Sequence, residues 1–409
     1  MTYFTPTATR ATAWRLSGLG AALLCAGLLS ACSVAPVYEA PAVAAPAAFK
    51  EAGAWWQAAA PADAMERGTW WQLFGDETLN GLAEQVQVSN QNIAAAAAAV
   101  AQAQASVRVQ QAGLLPTVGA SLGQSRQGGS QASGSGSASL SVNAAWEADL
   151  WGRLRETVSS AQSSAQASEA DLAAARLSAI GSLVQNYFKL READAEIRLL
   201  QTSIAGYQRS VQITQNRYDV GVEAKTAVLQ AQTTLTNTQA SVETVRQSRR
   251  TYEHAIAVLT GQAPASFSLP EQAWTTTVPR VPAVVPSTVL QRRPDIAAAE
   301  RDVAAANAQI GIARAAYYPS LSLSGSIGRG GSNLGDLFSA SSLLWSLGAS
   351  IGQSIFNAGA TTAQVDAAKA AHTARAANYR QTVLTAFQAV EDVLSAVASQ
   401  NAQLPLLQQ

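Results

Sequence analysis

Charge is scarce in this chain. Of 409 residues only 13% are charged, and 27 basic residues balance 27 acidic ones. An ordinary soluble domain carries roughly 25%. Zero net charge gives no basic field for nucleic acid, so no nucleic-acid partner is expected. Aromatic residues make up 6%, which excludes a thick aromatic core. His254 and His372 stand alone in alanine-rich helical patterns and are read as structural or solvated. The two cysteines, Cys25 and Cys32, lie close together near the N-terminus and offer neither a disulfide framework nor a zinc site. No Gly-rich phosphate loop, metal-ligand cluster or Ser/His/acid set is found, so no catalytic residue and no metal is assigned and an enzyme is not expected. What the chain has is apolar content, 48%, to which alanine contributes more than any other residue, among Gln, Ser and Thr. Such a composition suits long helices packed closely through small side chains.

Arg10 and Arg15 precede an apolar run from Leu16 to Leu29. A helix that spans a bilayer needs ~20 residues, so the run reads as an export signal. It closes on Leu29-Ser30-Ala31-Cys32, which resembles the bacterial lipobox. Cys32 is the expected lipid attachment, and the covalent lipid is the sole expected prosthetic group. Each buried acyl methylene adds ~0.8 kcal/mol, so an anchor of several chains holds firmly. Ser33 follows, where the resembled lipoproteins often carry Asp for inner-membrane retention; outer-membrane placement is implied. Prolines at 36, 41 and 46 then disfavour helix and predict an extended tether. Trp55-Trp56 and Trp70 to Asp76 read as local packing.

The second half of the chain repeats the first. Asn92-Ile93 opens an alanine-rich helix ending at Leu114-Leu115-Pro116, and Pro294-Asp295-Ile296 opens another ending at Tyr317-Tyr318-Pro319. Each proline leads into alternating residues, a Gly/Ser loop and a second alternating stretch. In the first half Ala138, Leu140, Val142, Ala144, Trp146 and Ala148 form one face. In the second half Leu343, Trp345, Leu347, Ala349 and Ile351 do the same. The opposite faces are rich in Ser and Gly, almost without Lys or Arg. Period-two alternation of this kind predicts β-strands of a membrane barrel wall, with Trp146 and Trp345 as interface aromatics.

A long helix pair is predicted after the first hairpin. Ile180, Leu183, Tyr187, Leu190, Ile197, Ile204 and Val211 keep a heptad spacing. The pattern turns at Tyr218-Asp219-Val220-Gly221 and resumes from Val228 to Leu259. Arms of ~60–80 Å are expected. Four strands cannot close a membrane barrel, and an open edge in lipid leaves backbone groups unsatisfied. The chain therefore requires other chains; physics alone does not set their number.

The run Gln291-Arg292-Arg293-Pro294-Asp295-Ile296-Ala297-Ala298-Ala299-Glu300, with Ala315-Ala316-Tyr317-Tyr318-Pro319, resembles the outer-membrane factor family of the TolC, OprM and NodT type. So do Trp70 to Asp76, Trp146 to Leu154 and Arg217 to Gly221; together these matches span most of the chain from Cys32 onward. The resemblance implies a mixed α and transmembrane β fold: a homotrimer sharing a 12-stranded outer-membrane barrel and a helical periplasmic tunnel. It implies passive export, with the helix tip around Tyr218, Asp219, Gly221 and Lys225 docking a periplasmic adaptor and an inner-membrane pump of the RND type. The exported class would be drugs, toxic compounds or metals. A type I protein-secretion duct and a structural periplasmic lipoprotein without a pore stay open as alternatives.

The expected organisation is a signal peptide at 1–31 and a tether with equatorial segment at 32–88. A first repeat covers 89–269, with a hairpin at about 117–150 and a helix pair at about 154–260. A second covers 270–409, with a hairpin at about 320–356. The repeat predicts a second tip and returning helix beyond Gln409, so the second copy is read as cut short. The family often has an acidic residue where this chain has Ala227, and loss of a capping carboxylate is expected there.

Overall fold

The computed structural model describes residues 34–44, 46, 49–51, 69–129, 132–273, 293–338 and 343–408. Cys32, Trp55, Trp56 and Arg292 lie outside them. In chain order the elements are α1 (Glu77–Ser89), α2 (Gln91–Ala112), β1 (Thr117–Gly129), β2 (Ala132–Ala148), α3 (Arg153–Asp219), α4 (Lys225–Leu259), α5 (Pro294–Ala315), β3 (Ser320–Gly331), β4 (Leu343–Gly352) and α6 (Ala360–Leu407). Helix α2, strands β1 and β2 and helix α3 are matched in order by α5, β3, β4 and α6. Helices α2 and α5 each have 22 residues. Gly152 and Gly359, immediately before α3 and α6, carry φ of 84° and 85°.

Two compact units form, and each draws on both halves. One holds Ala101–Ser168 and Ile296–Thr385 with the N-terminal segment up to Ala44; the other holds Ala45–Val100, Glu169–Asp295 and Ala386–Gln409. The compact units therefore cut across the boundary placed at 269/270 from sequence, because each half gives its hairpin to one unit and much of its long-helix length to the other.

The first unit is built on one antiparallel sheet in the order β1-β2-β3-β4. Its register keeps like faces together: one rung runs Ala120, Val142, Ile327, Trp345, and a neighbouring one runs Ser121, Ser141, Gly328, Leu344. A slip of one residue would exchange the faces. Serine pairs tie the polar face across strands: Ser121 to Ser141 at 2.9 Å, Ser125 to Ser137 at 2.7 Å and Ser326 to Ser346 at 2.8 Å.

The second unit holds a buried apolar cluster. Leu79, Leu82 and Val86 of α1 meet Ile180, Leu183, Tyr187 and Leu190 of α3 and Ile256 of α4. Trp71 is buried with them, so the Trp70–Asp76 run does more than pack locally. Asp76 caps α1 by accepting from Leu79 N at 3.0 Å, and its other oxygen accepts from the Tyr187 hydroxyl at 2.7 Å. Asn90 caps α2, accepting from the amides of Asn92 and Ile93, and donates to Leu259 O at 2.8 Å.

The helix arms differ from the expected ~60–80 Å. Helix α3 has 67 residues and α4 has 35, about 100 Å and about 53 Å at 1.5 Å per residue. Helix α3 starts directly at the sheet and runs to the tip, whereas α4 stops where Gly261 turns the chain.

Candidate functional site

Three places carry the sequence-predicted functional residues: the sheet, the tip of the helix pair and the N-terminal tether.

On the sheet, the apolar face presents Val118 and Leu122 of β1, Leu140, Val142 and Trp146 of β2, Ile327 of β3, and Trp345, Leu347 and Ile351 of β4, all exposed. Arg126 and Arg329 stand on this face at its far end, Arg329 opposite Leu343. From Leu321 to Arg329 is about 26 Å along the strand, or about 20 Å of height at a barrel tilt near 40°. That approaches the ~25 Å apolar band of outer-membrane barrels. Among the described residues β1 and β4 pair on one side only. No helix among the described residues is long and apolar enough to cross a membrane.

Trp146 lies where β2 approaches the helices, and its indole donates to Leu114 O at 3.0 Å. Trp345 shares the face but pairs with Ile327, four rungs from the Trp146–Leu323 pair, and is 71% exposed. Sequence reading missed other aromatics at the helix–strand junction as a group. Trp151 stacks on Tyr318 at 4.8 Å and donates to Pro319 O at 2.7 Å. The signal was present in the Leu-Trp-Gly and Tyr-Tyr-Pro runs, each at a helix–strand boundary. Arg153 pairs with Glu147 at 2.7 Å and Arg155 with Asp149 at 3.1 Å, tying the start of α3 to the end of β2.

The tip turn holds Tyr218, Asp219, Gly221 and Lys225 together. Gly221 has φ 74°. Val222 N donates to Arg217 O at 2.9 Å and Gly221 N to Tyr218 O at 2.9 Å, the double bond pattern that ends a helix on a left-handed residue. Val220 and Val222 are exposed beside Tyr218. Helix α4 starts after Ala224, which makes no side-chain cap bond. Ala227 is thus the third helical residue, not the cap. A carboxylate there would act as the far partner of a capping box, returning to the cap amide.

At the other end of the pair lies a charged cluster that sequence spacing did not reveal. Asp194, fully buried, accepts from Arg249 at 2.6 Å and Arg191 at 3.0 Å. Arg191 also donates to Pro270 O, Arg249 to Leu269 O, and Glu253 accepts from Leu269 N. The segment after α4 is thereby clamped to both helices. Burial first, and then the hydrogen bond to Asp76, push the Tyr187 hydroxyl pKa up to about 12.

The tether docks along α5. Asn307 donates to Pro36 O at 2.9 Å, and the Tyr38 hydroxyl binds Glu300. Gly311 lies against Ala35; a Cβ there would come within 2.6 Å of the Ala35 methyl. Burial and the Glu300 contact hold the Tyr38 hydroxyl pKa above its ordinary value. Among the described residues no group of three His, Cys, Asp or Glu is placed to hold a metal ion.

A four-stranded sheet with an apolar outer face, joined to long paired helices, defines a class: outer-membrane channel proteins with a helical periplasmic part. Residues 82–262 and 285–409 match the model of the family described as outer membrane efflux protein. The chain is 33% identical over 379 residues to the antibiotic efflux pump outer membrane protein ArpC of Pseudomonas putida, covering 90% of this chain and 78% of the relative. It is 30% identical over 385 residues to the cation efflux system protein CusC of Escherichia coli O6:H1, covering 92% and 82%. The solved Campylobacter jejuni CmeC outer membrane channel superposes with a TM-score of 0.85 at 26% identity, covering 92% of this chain and 82% of that one. The chain belongs to the outer membrane efflux protein family, and it resides in the outer membrane and extends into the periplasm.

Proposed function

We propose that this chain is one of three identical subunits of an outer-membrane efflux duct. The observation that carries the reading is the sheet: four strands, one continuous apolar face and two edges without strand partners among the described residues. Buried in lipid, those edges would leave a row of amides and carbonyls unsatisfied. Neighbouring copies satisfy them, and three copies supply twelve strands. The two halves then act as two copies of one plan, each giving a hairpin to the wall and long helices to the tunnel.

Transport through the subunit is passive, and an inner-membrane pump of the RND type supplies the energy. The tip residues Tyr218, Asp219, Gly221 and Lys225, with Val220 and Val222 beside them, form the adaptor contact. Trp146 marks the periplasmic rim of the barrel, with Trp345 farther along the wall. Cys32 carries the lipid. Cargo is small molecules; the names of ArpC and CusC attach antibiotics and cations to those relatives. A strain deleted for this protein, supplied with cognate adaptor and pump, tests the reading. It accumulates a fluorescent efflux dye, and plasmid-borne wild type restores export. Unchanged dye accumulation on deletion and on complementation contradicts the reading.

A further inference from the structure

The first unit has a polar pocket that neither the wall nor the tip uses. It occupies about 540 Å³ at the C-terminal end of α5 and the first turns of α6, and its lining includes Val34, Arg314, Tyr317, Thr362, Asp366 and Lys369. That volume falls within the range of small-ligand sites. Arg314 is half-buried, and among the described residues its guanidinium has no hydrogen-bond or ion-pair partner. Lys369 pairs with Asp366 at 3.4 Å, with both side chains exposed. The Tyr317 hydroxyl bonds Thr362 Oγ1 at 3.0 Å, fixing the ring at the pocket wall. Two cations against one carboxylate leave a net positive charge.

The position narrows the ligand. Arg314 is five residues before Pro319, after which β3 begins, and α6 follows β4. Ile355 and Phe356, in the turn between β4 and α6, are 97% and 87% exposed. A cationic pocket beside exposed apolar side chains, at a helix–strand junction, matches an amphiphile with an anionic head. Guanidinium binds phosphate with two parallel hydrogen bonds. We propose that this pocket binds the phosphate of a glycerophospholipid from the periplasm-facing leaflet. Arg314 is its main ligand, Lys369 the second, and Ile355 and Phe356 support the acyl chains. The inference rests on the reading that β3 and β4 enter the membrane at this junction.

Native mass spectrometry of the lipidated full chain, released in detergent from outer membranes, tests it. The probes are phosphatidylglycerol, diacylglycerol with the same acyl chains, and inorganic phosphate. Wild type retains phosphatidylglycerol about tenfold better than diacylglycerol, and millimolar inorganic phosphate does not displace it. Arg314→Gln loses about tenfold, and Arg314→Lys, which keeps the charge without the paired hydrogen bonds, falls between wild type and Arg314→Gln. Equal retention of the two lipids by wild type overturns the proposal and needs no variant. Unchanged binding in Arg314→Gln, or displacement by inorganic phosphate alone, overturns it too. Binding of phosphatidylglycerol that rises only in Cys32→Ser assigns the pocket to the chain's own acyl group and also overturns it. Bilayer conductance of the same samples is scored separately. Normal conductance without phospholipid preference refutes the lipid site alone, and absent conductance strikes the barrel reading.

Discussion

Gly221 and Gly261 end the two helices of one pair with the same turn, at φ 74° and 73°. At each, the following amide bonds back to a carbonyl five residues earlier, Val222 to Arg217 and Gln262 to Ala257. Their surroundings differ. A Cβ on Gly221 meets nothing within 4 Å, whereas on Gly261 it would lie 2.4 Å from Ser89 O. The side chains follow suit. Toward the root, Leu183, Tyr187, Leu190 and Asp194 are completely buried; toward the tip, Leu199, Ile213, Val220, Val222 and Leu229 are more than half exposed. The heptads do not weaken between these regions; Ile204 and Val211 continue the spacing yet are only half-covered. The same pattern is thus satisfied within the chain at the root and left exposed at the tip.

The largest effect is expected from removing the charge that organises the root. Asp194→Ala leaves Arg191 and Arg249 buried without their carboxylate, and should lower unfolding free energy by about 3–5 kcal/mol, read by denaturant titration of helical circular dichroism. The two glycines give the sharpest contrast. Gly261→Ala combines a left-handed strain with a backbone clash and should cost about 2–3 kcal/mol. Gly221→Ala carries the strain alone, about 1 kcal/mol. Equal losses for the two would remove the distinction between root and tip.

Tyr187→Phe should cost about 1 kcal/mol through the lost bond to Asp76. It should also abolish an alkaline step. The folded Tyr187 pKa is near 12, above the ordinary value near 10. The unfolded chain therefore loses this proton first, and the stabilisation, complete below pH 10, disappears as pH rises through 12. Wild type should show that decline in a denaturation series and Tyr187→Phe should not. The smallest stability effect is expected at the tip, where Val220→Ser with Val222→Ser should change unfolding by under about 0.5 kcal/mol while dye export falls. A large loss of stability there would mean the tip is held by its own chain.

Much of this is legible in the sequence alone. The alternation around Val142 and Trp345 fixed both strand faces, and Tyr218 to Gly221 marked the turn. Hidden were features that depend on distant residues meeting. Arg191 meets Asp194 at a local i,i+3 spacing, but Arg249 reaches the same carboxylate from the other helix of the pair, and no local spacing records that meeting. Ala35 and Gly311 are separated by most of the chain; a lone glycine in a helix suggests a close approach without naming what approaches. Length misled at the arms, because α3 begins at Arg153, well before Ile180 opens its heptads, whereas α4 ends together with its pattern at Leu259.

The central claim is that the four strands are a share of a pore wall in the outer membrane. Planar-bilayer recording of the full chain, purified as an assembled oligomer from outer membranes, tests it most directly. Discrete, long-lived conductance steps are the expected result. A correctly assembled oligomer that inserts into the bilayer and passes no current would contradict the account.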